Sequence, residues 1–216
     1  FMTNYQAEPL ARLYAGASVF PVSMRVTNLK RTPMDLLYLA HVNFRPIDGS
    51  RLAYSALPTA QHVRVRTEVP SHIRPAPGYV EYIAELARDP SGHHVLAPGQ
   101  AFDPEVCFFI DYLADEEGWA HSMQLLPAGG ADYIAHRPAQ LPKATRWISR
   151  TPDQDAIALV EPGTVNPGPY ELLAARGEIP TLAGGAAFYC EMEMGALTPA
   201  EAERMQARIE GILVGR

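Results

Sequence analysis

Residues 35–46 read DLLYLAHVNFRP, and within them His41, Asn43 and Arg45 fall at every second position. Alternate side chains of an extended chain leave on the same face. A titratable ring, an amide and a guanidinium therefore line up on one side, while Val42 and Phe44 leave on the other. Such a row can move a proton and hold oxygen atoms. The same alternation also describes a plain solvent face, or a histidine satisfied by a backbone carbonyl, and this stretch alone leaves those readings open.

A second stretch, DAIALVEPGTVNPGPY at 155–170, ends a short apolar run on Glu161, directly before Pro162 and Gly163. Proline restricts the residue before it to extended backbone, so the carboxylate sits at a stiff strand end from which it can be aimed. An exposed turn glutamate is the alternative. In TRWISR, Arg146 and Ile148 share one face and Trp147 and Ser149 the other. Trp147 offers a flat apolar wall, or simple sheet packing. A histidine and a carboxylate suit proton transfer at neutral pH, and strands readily bring positions as distant as 41 and 161 together. His93 and His94 are neighbours in sequence, with no third ligand at diagnostic spacing, and read as exposed loop histidines. No metal site is expected.

Several chemistries find no support. The Gly-Gly pairs at 129–130 and 184–185 lack the lysine and the strand-to-helix setting of a phosphate loop, and neither G-x-S-x-G nor H-E-x-x-H occurs. A formal net charge of -6 argues against nucleic acid or an anionic membrane as partner, and Arg64 and Arg66 alternate without forming a patch. No apolar run approaches the roughly 20 residues of a membrane helix, and no signal-like segment is visible. A cytoplasmic location is the expectation. Cys107 and Cys190 sit in apolar runs and read as buried free thiols.

The elements that must position these residues are short alternating runs: SVFPVSMRVTNL, LLYLAHVNF, HVRVRTEV, EVCFFIDYL, GWAHSMQLL, ADYIAHR, TRWISR, AIALV and AAFYCEMEM. Loops rich in proline, glycine and aspartate separate them. Without repeated crossover helices a parallel sheet is excluded, so the expected fold is an antiparallel β-sandwich or barrel, in one domain over 1–216. With 47% hydrophobic and 19% charged residues, the chain is neither disordered nor a coiled coil. GYVEYIAELARD from Gly78 predicts a short helix inside an irregular excursion over 74–100. LTPAEAERMQARIEGIL predicts a C-terminal amphipathic helix with Thr198 as N-cap, Glu201 completing a capping box, and Met205, Ile209 and Ile212 on one face.

NLKRTPMDLLYLAHVNFRP resembles the histidine-x-asparagine segment of the galactose mutarotase-like family, more closely its aldose 1-epimerase-like branch DUF4432. TRWISRTPDQDAIALVEPGT and GEIPTLAGGAAFYCEMEMGAL resemble that family's tryptophan strand, glutamate-proline strand end and final long strand, so the likeness spans most of residues 15–197. It implies a large antiparallel supersandwich with a carbohydrate cleft. By motif match His41 corresponds to the general-acid histidine and Glu161 to the catalytic glutamate, with Asn43, Arg45, Arg146 and Trp147 as substrate-binding candidates. The family also uses polar residues from upstream strands, for which this chain has no match before His41. The chain begins at Phe1, and either it lacks those strands or it is a shortened relative.

The implied activity is exchange of sugar anomers. His41 protonates the ring oxygen, Glu161 takes the proton of the C1 hydroxyl, the ring opens, and the roles reverse on closure. This needs no cofactor. The alternatives are a noncatalytic carbohydrate-binding sandwich, and a cupin-like metal enzyme in which His41 and Glu161 converge with His93 or His121. A homo-oligomer covering the open side of a shortened sandwich is a further option.

Overall fold

The computed structural model describes residues 3–69 and 73–215. Twelve strands and three α-helices follow in the order β1 (Tyr5–Ala11), β2 (Val19–Asn28), β3 (Met34–Asp35), β4 (Arg51–Tyr54), β5 (Val63–Val65), α1 (Tyr79–Arg88), β6 (Phe102–Ile110), β7 (Ala120–Leu125), β8 (Ala131–His136), β9 (Lys143–Arg150), β10 (Asp155–Gly163), α2 (Tyr170–Ala175), β11 (Thr181–Leu182), β12 (Ala187–Leu197) and α3 (Pro199–Val214). Two antiparallel sheets dominate, one ordered β1-β2-β12-β8-β7-β4 and the other β10-β9-β6-β5, with a small β11-β3 pair beside them. The expected antiparallel sandwich is the observed architecture.

Alternation builds its core. Leu52 and Tyr54 of β4 and Ile134 of β8 face Val106 and Phe108 of β6, Ile148 of β9, and Ile157 and Leu159 of β10. Each such fully buried side chain contributes about 1.5–3 kcal/mol. The opposite face of the six-stranded sheet, through Met123, Tyr133 and Ala135, packs on Ala202 and Ile209 of α3. That helix starts as its sequence predicts, with Thr198 accepting from the Glu201 N–H and Glu201 reaching back to the Thr198 N–H. Among the described residues both cysteines are buried and free, and no helix is long and apolar enough to cross a membrane.

Two expectations need correcting. LLYLAHVNF is not a regular strand. It runs extended along the free edge of β10, attached by isolated bridges from Leu39 to Gly163 and from Phe44 to Ile157. The alternation within it holds: His41, Asn43 and Arg45 are exposed, while Val42 and Phe44 pack on the core. The 74–100 excursion is also more ordered than its prolines suggest. After α1 comes a 3₁₀ turn, Pro90–His93, that carries His93 into the interior, where it is 1% exposed and stacks on Phe108.

Candidate functional site

The site is built on the outer face of the four-stranded sheet. Across that face Cys107 stands opposite Trp147, and Phe109 opposite Thr145. On the other side of β9, Glu161 also stands opposite Thr145. Glu161 reaches this face only because β10 is bulged. Ala158 pairs with Trp147 and Glu161 with Thr145, so Leu159 and Val160 together stand opposite the single residue Arg146. In regular pairing Glu161 would fall opposite Ala144 and point into the core; one extra residue reverses the parity.

The His41 segment then has to come close to β10. The Ala40 N–H donates to the Pro162 carbonyl at 3.0 Å and the Thr164 N–H to the Tyr38 carbonyl at 2.9 Å. Gly163 permits this approach, because a Cβ there would lie 2.8 Å from the Tyr38 carbonyl oxygen. Thus Pro162 and Gly163 serve the site from both sides: one stiffens the end of β10, the other admits the neighbouring segment.

His41 Nε2 lies 2.9 Å from Glu161 Oε1, with the histidine side chain 47% exposed and the glutamate side chain 4% exposed. The ring meets Trp147 edge-on, centroids 5.4 Å apart. No donor among the described residues is aligned on Glu161 Oε1, so the His41 approach is a contact without hydrogen-bond alignment. Burial, and after it the nearby Glu105 carboxylate, push the Glu161 carboxyl up to about 7. Glu105 behaves oppositely. Burial alone would raise it, but Trp147 Nε1 donates to its Oε2 at 2.6 Å and Arg66 Nη2 to its Oε1 at 2.6 Å, and these donors hold it below the ordinary value. Two carboxylates on one face are thereby set apart, one ionised and one poised near neutrality. Cys107 lies between them, its thiol pushed up to about 12 by burial and unreactive.

A cleft of about 220 Å³ opens here, lined by His41, Arg66, Glu105, Trp147 and Glu161, with Leu39, Phe109 and Pro167 among its walls. Volume alone does not mark the site: a hollow of about 420 Å³ beside α3 is lined by Asp115, Glu117 and Arg208, whose charges already pair with one another.

Of the residues singled out in the sequence, the structure brings together His41, Glu161 and Trp147. Asn43 and Arg45 are exposed further along the same segment, outside the cleft lining. Arg146 is fully buried on the inner side of β9; strand alternation prevents it from sharing a cleft with Trp147. Arg66 and Glu105 were missed. Their signal was period 2, since Glu105, Cys107 and Phe109 alternate out of the sheet, as do Arg64 and Arg66. The metal reading loses its ligand set: His93 contacts Arg146 in the interior, and His121 contacts Asp115 and Tyr133 on the α3 side. Among the described residues no cluster of three His, Cys, Asp or Glu is placed to hold a metal.

No family model matches this sequence, and no curated protein matches it. Solved structures do. A candidate aldose 1-epimerase from Klebsiella pneumoniae superposes with a TM-score of 0.75 at 20% identity, over 97% of this chain and 51% of that one. A galactose mutarotase related enzyme from Lactobacillus acidophilus gives 0.55 at 12% identity, over 91% of this chain and 63% of that one. The Slr1438 protein of Synechocystis gives 0.54 at 14% identity, over 92% and 56%. The shared property is the fold, and this chain spans about half the length of the Klebsiella protein.

Proposed function

We propose that the cleft binds a monosaccharide and that His41 and Glu161 exchange its anomers. The observation that carries this reading is the pair itself: an acid and a base in contact, beside a tryptophan wall, with Glu161 poised near 7. Maximum proton-transfer efficiency falls where the pKa lies close to the working pH. A buried carboxylate with no aligned donor is a strong acceptor for an incoming hydroxyl.

In this mechanism the sugar enters from the solvent side, where His41 is half exposed, and parts the His41–Glu161 contact. Glu161 takes the proton of the C1 hydroxyl as protonated His41 gives one to the ring oxygen. The C1–ring-oxygen bond breaks and an aldehyde forms. Rotation about the C1–C2 bond presents the other carbonyl face, and the two protons return on closure. Trp147 supplies an apolar surface for the C–H face of the ring, and Arg66 and Glu105 supply a donor and an acceptor for hydroxyls. This reading carries with it the likeness to the aldose 1-epimerase-like branch. It also drops Asn43, Arg45 and Arg146 as substrate contacts.

The test is polarimetric or NMR relaxation of freshly dissolved pure anomers over a panel of aldoses, with calorimetric binding alongside. Acceleration above buffer, lost by at least about tenfold in His41→Ala and in Glu161→Gln, is the expected result. Saturable binding without acceleration would establish the noncatalytic carbohydrate-binding alternative instead.

A further inference from the structure

The extra residue in β10 decides which way Glu161 points, so whatever stabilises the bulge controls the site. On the inner side, opposite the bulge, lies Arg146, 0% exposed. Its Nε donates to the Leu159 carbonyl at 3.0 Å. Ser122 Oγ, reaching across from the facing sheet, donates to the same carbonyl at 3.2 Å. The remaining contacts of the guanidinium are also to neutral groups: Nη1 donates to His93 Nε2 at 2.8 Å, Nη2 to Ser122 Oγ at 3.0 Å and to the Tyr112 hydroxyl at 3.4 Å, and the Tyr54 ring lies 4.3 Å below. Among the described residues no carboxylate is within ion-pair distance of it.

A buried cation with no counter-ion is poor material for a core. A planar fork with donors in several directions is what is needed, however, to tie a displaced carbonyl, a facing-sheet hydroxyl and a loop histidine to one point. His93 is built to receive it. Its Nδ1 is committed to the Pro90 carbonyl, which leaves Nε2 as the acceptor, and burial keeps the ring neutral.

We propose that Arg146 is a positioning residue which, from inside the sandwich, locks the β10 bulge through the Leu159 carbonyl and so holds Glu161 on the cleft face. The inference deepens the proposed function and rests on Glu161 being the base of that cleft, but it can be tested apart from turnover. In Arg146→Met, which fills similar space without donors, two quantities are read: the side-chain ¹³C titration of Glu161 and the kinetics of anomer exchange. The expected result is a Glu161 midpoint displaced by at least about one pH unit from its wild-type position near 7, with kcat reduced at least about tenfold and KM changed less. A purely structural arginine, remote from Glu161, would lower stability and leave that midpoint in place.

A folded Arg146→Met protein with wild-type titration overturns the proposal. If that variant does not fold, Ser122→Ala decides, since it removes the second donor to the same carbonyl: a smaller displacement of the midpoint supports the lock, and an unmoved midpoint overturns it. Wild-type protein that accelerates no anomer exchange overturns the catalytic reading alone, because the titration still reports on Arg146.

Discussion

Two histidine–carboxylate contacts in this molecule share their chemistry and differ in everything around it. His41 and Glu161 meet at 2.9 Å on the open face of one sheet. His121 and Asp115 meet at 2.7 Å under α3. Asp115 is saturated: Oδ1 accepts from the Glu117 and Trp119 N–H groups, and Oδ2 from His121 Nε2 and Arg208 Nη2. Burial would raise it, yet these donors hold it below the ordinary carboxylate value. Burial lowers His121 below the ordinary histidine value, against the opposing pull of Asp115, and its Nδ1 meets the Tyr133 hydroxyl. Glu161 has none of this support and stands near 7. A fully donated carboxylate is a structural tie; an under-donated one keeps capacity for a proton or a ligand hydroxyl, which is the role proposed for Glu161.

The sharpest way to break the contrast is to remove each carboxylate. Glu161→Gln is expected to slow anomer exchange by about 10²–10⁴-fold, the usual worth of a general base, whereas Asp115→Asn leaves exchange unchanged. Stability reverses the order. Asp115→Asn is expected to cost about 2–4 kcal/mol in urea unfolding at pH 7, since it loses the charge that Arg208 and His121 share. Glu161→Gln is expected to stabilise the alkaline protein. The folded-state carboxyl is raised, so its stabilising contribution is complete below the ordinary value near 4.5 and is lost as pH rises through about 7. Gln escapes that loss, giving a gain of about 3 kcal/mol at pH 8 and none at pH 4.

The pH profile sharpens the same comparison. Because exchange needs Glu161 ionised and His41 protonated together, its rate should follow a bell-shaped pH profile whose acid limb is set by Glu161 near 7. Glu105→Gln removes the neighbouring charge that helps raise Glu161 and should move that limb to lower pH, as read from initial rates across a buffer series. The smallest effect concerns Trp147→Phe, which keeps the wall but deletes the Nε1 donor to Glu105. Sugar affinity measured by calorimetry should fall roughly fivefold, equivalent to about 1 kcal/mol.

Much of this was legible beforehand. The row at 41, 43 and 45 does face outward, and Glu-Pro-Gly does end a strand on an aimed carboxylate. Parity was not legible. AIALV is apolar on both faces, so an extra residue in it leaves no trace in a period-2 pattern, and the bulge that turns Glu161 outward was invisible. Arg146 shows the opposite case: alternation already set it against Trp147, and only one of them could line the cleft. His93 looked like a loop residue because prolines and glycines surround it, yet a 3₁₀ turn carries it inside to serve as a neutral acceptor. Side-chain satisfaction, which separates the two histidine–carboxylate contacts, depends on donors from distant strands that a linear pattern does not register.

The most direct measurement is a ¹³C titration of carboxyl resonances in the wild-type protein, with Glu161 and Asp115 assigned through their amide variants. A Glu161 midpoint near 7, together with Asp115 below the usual carboxylate range in the same sample, is the expected outcome. Both groups titrating together near 4 would contradict the claim that unmet hydrogen-bonding capacity makes the His41–Glu161 contact the reactive one.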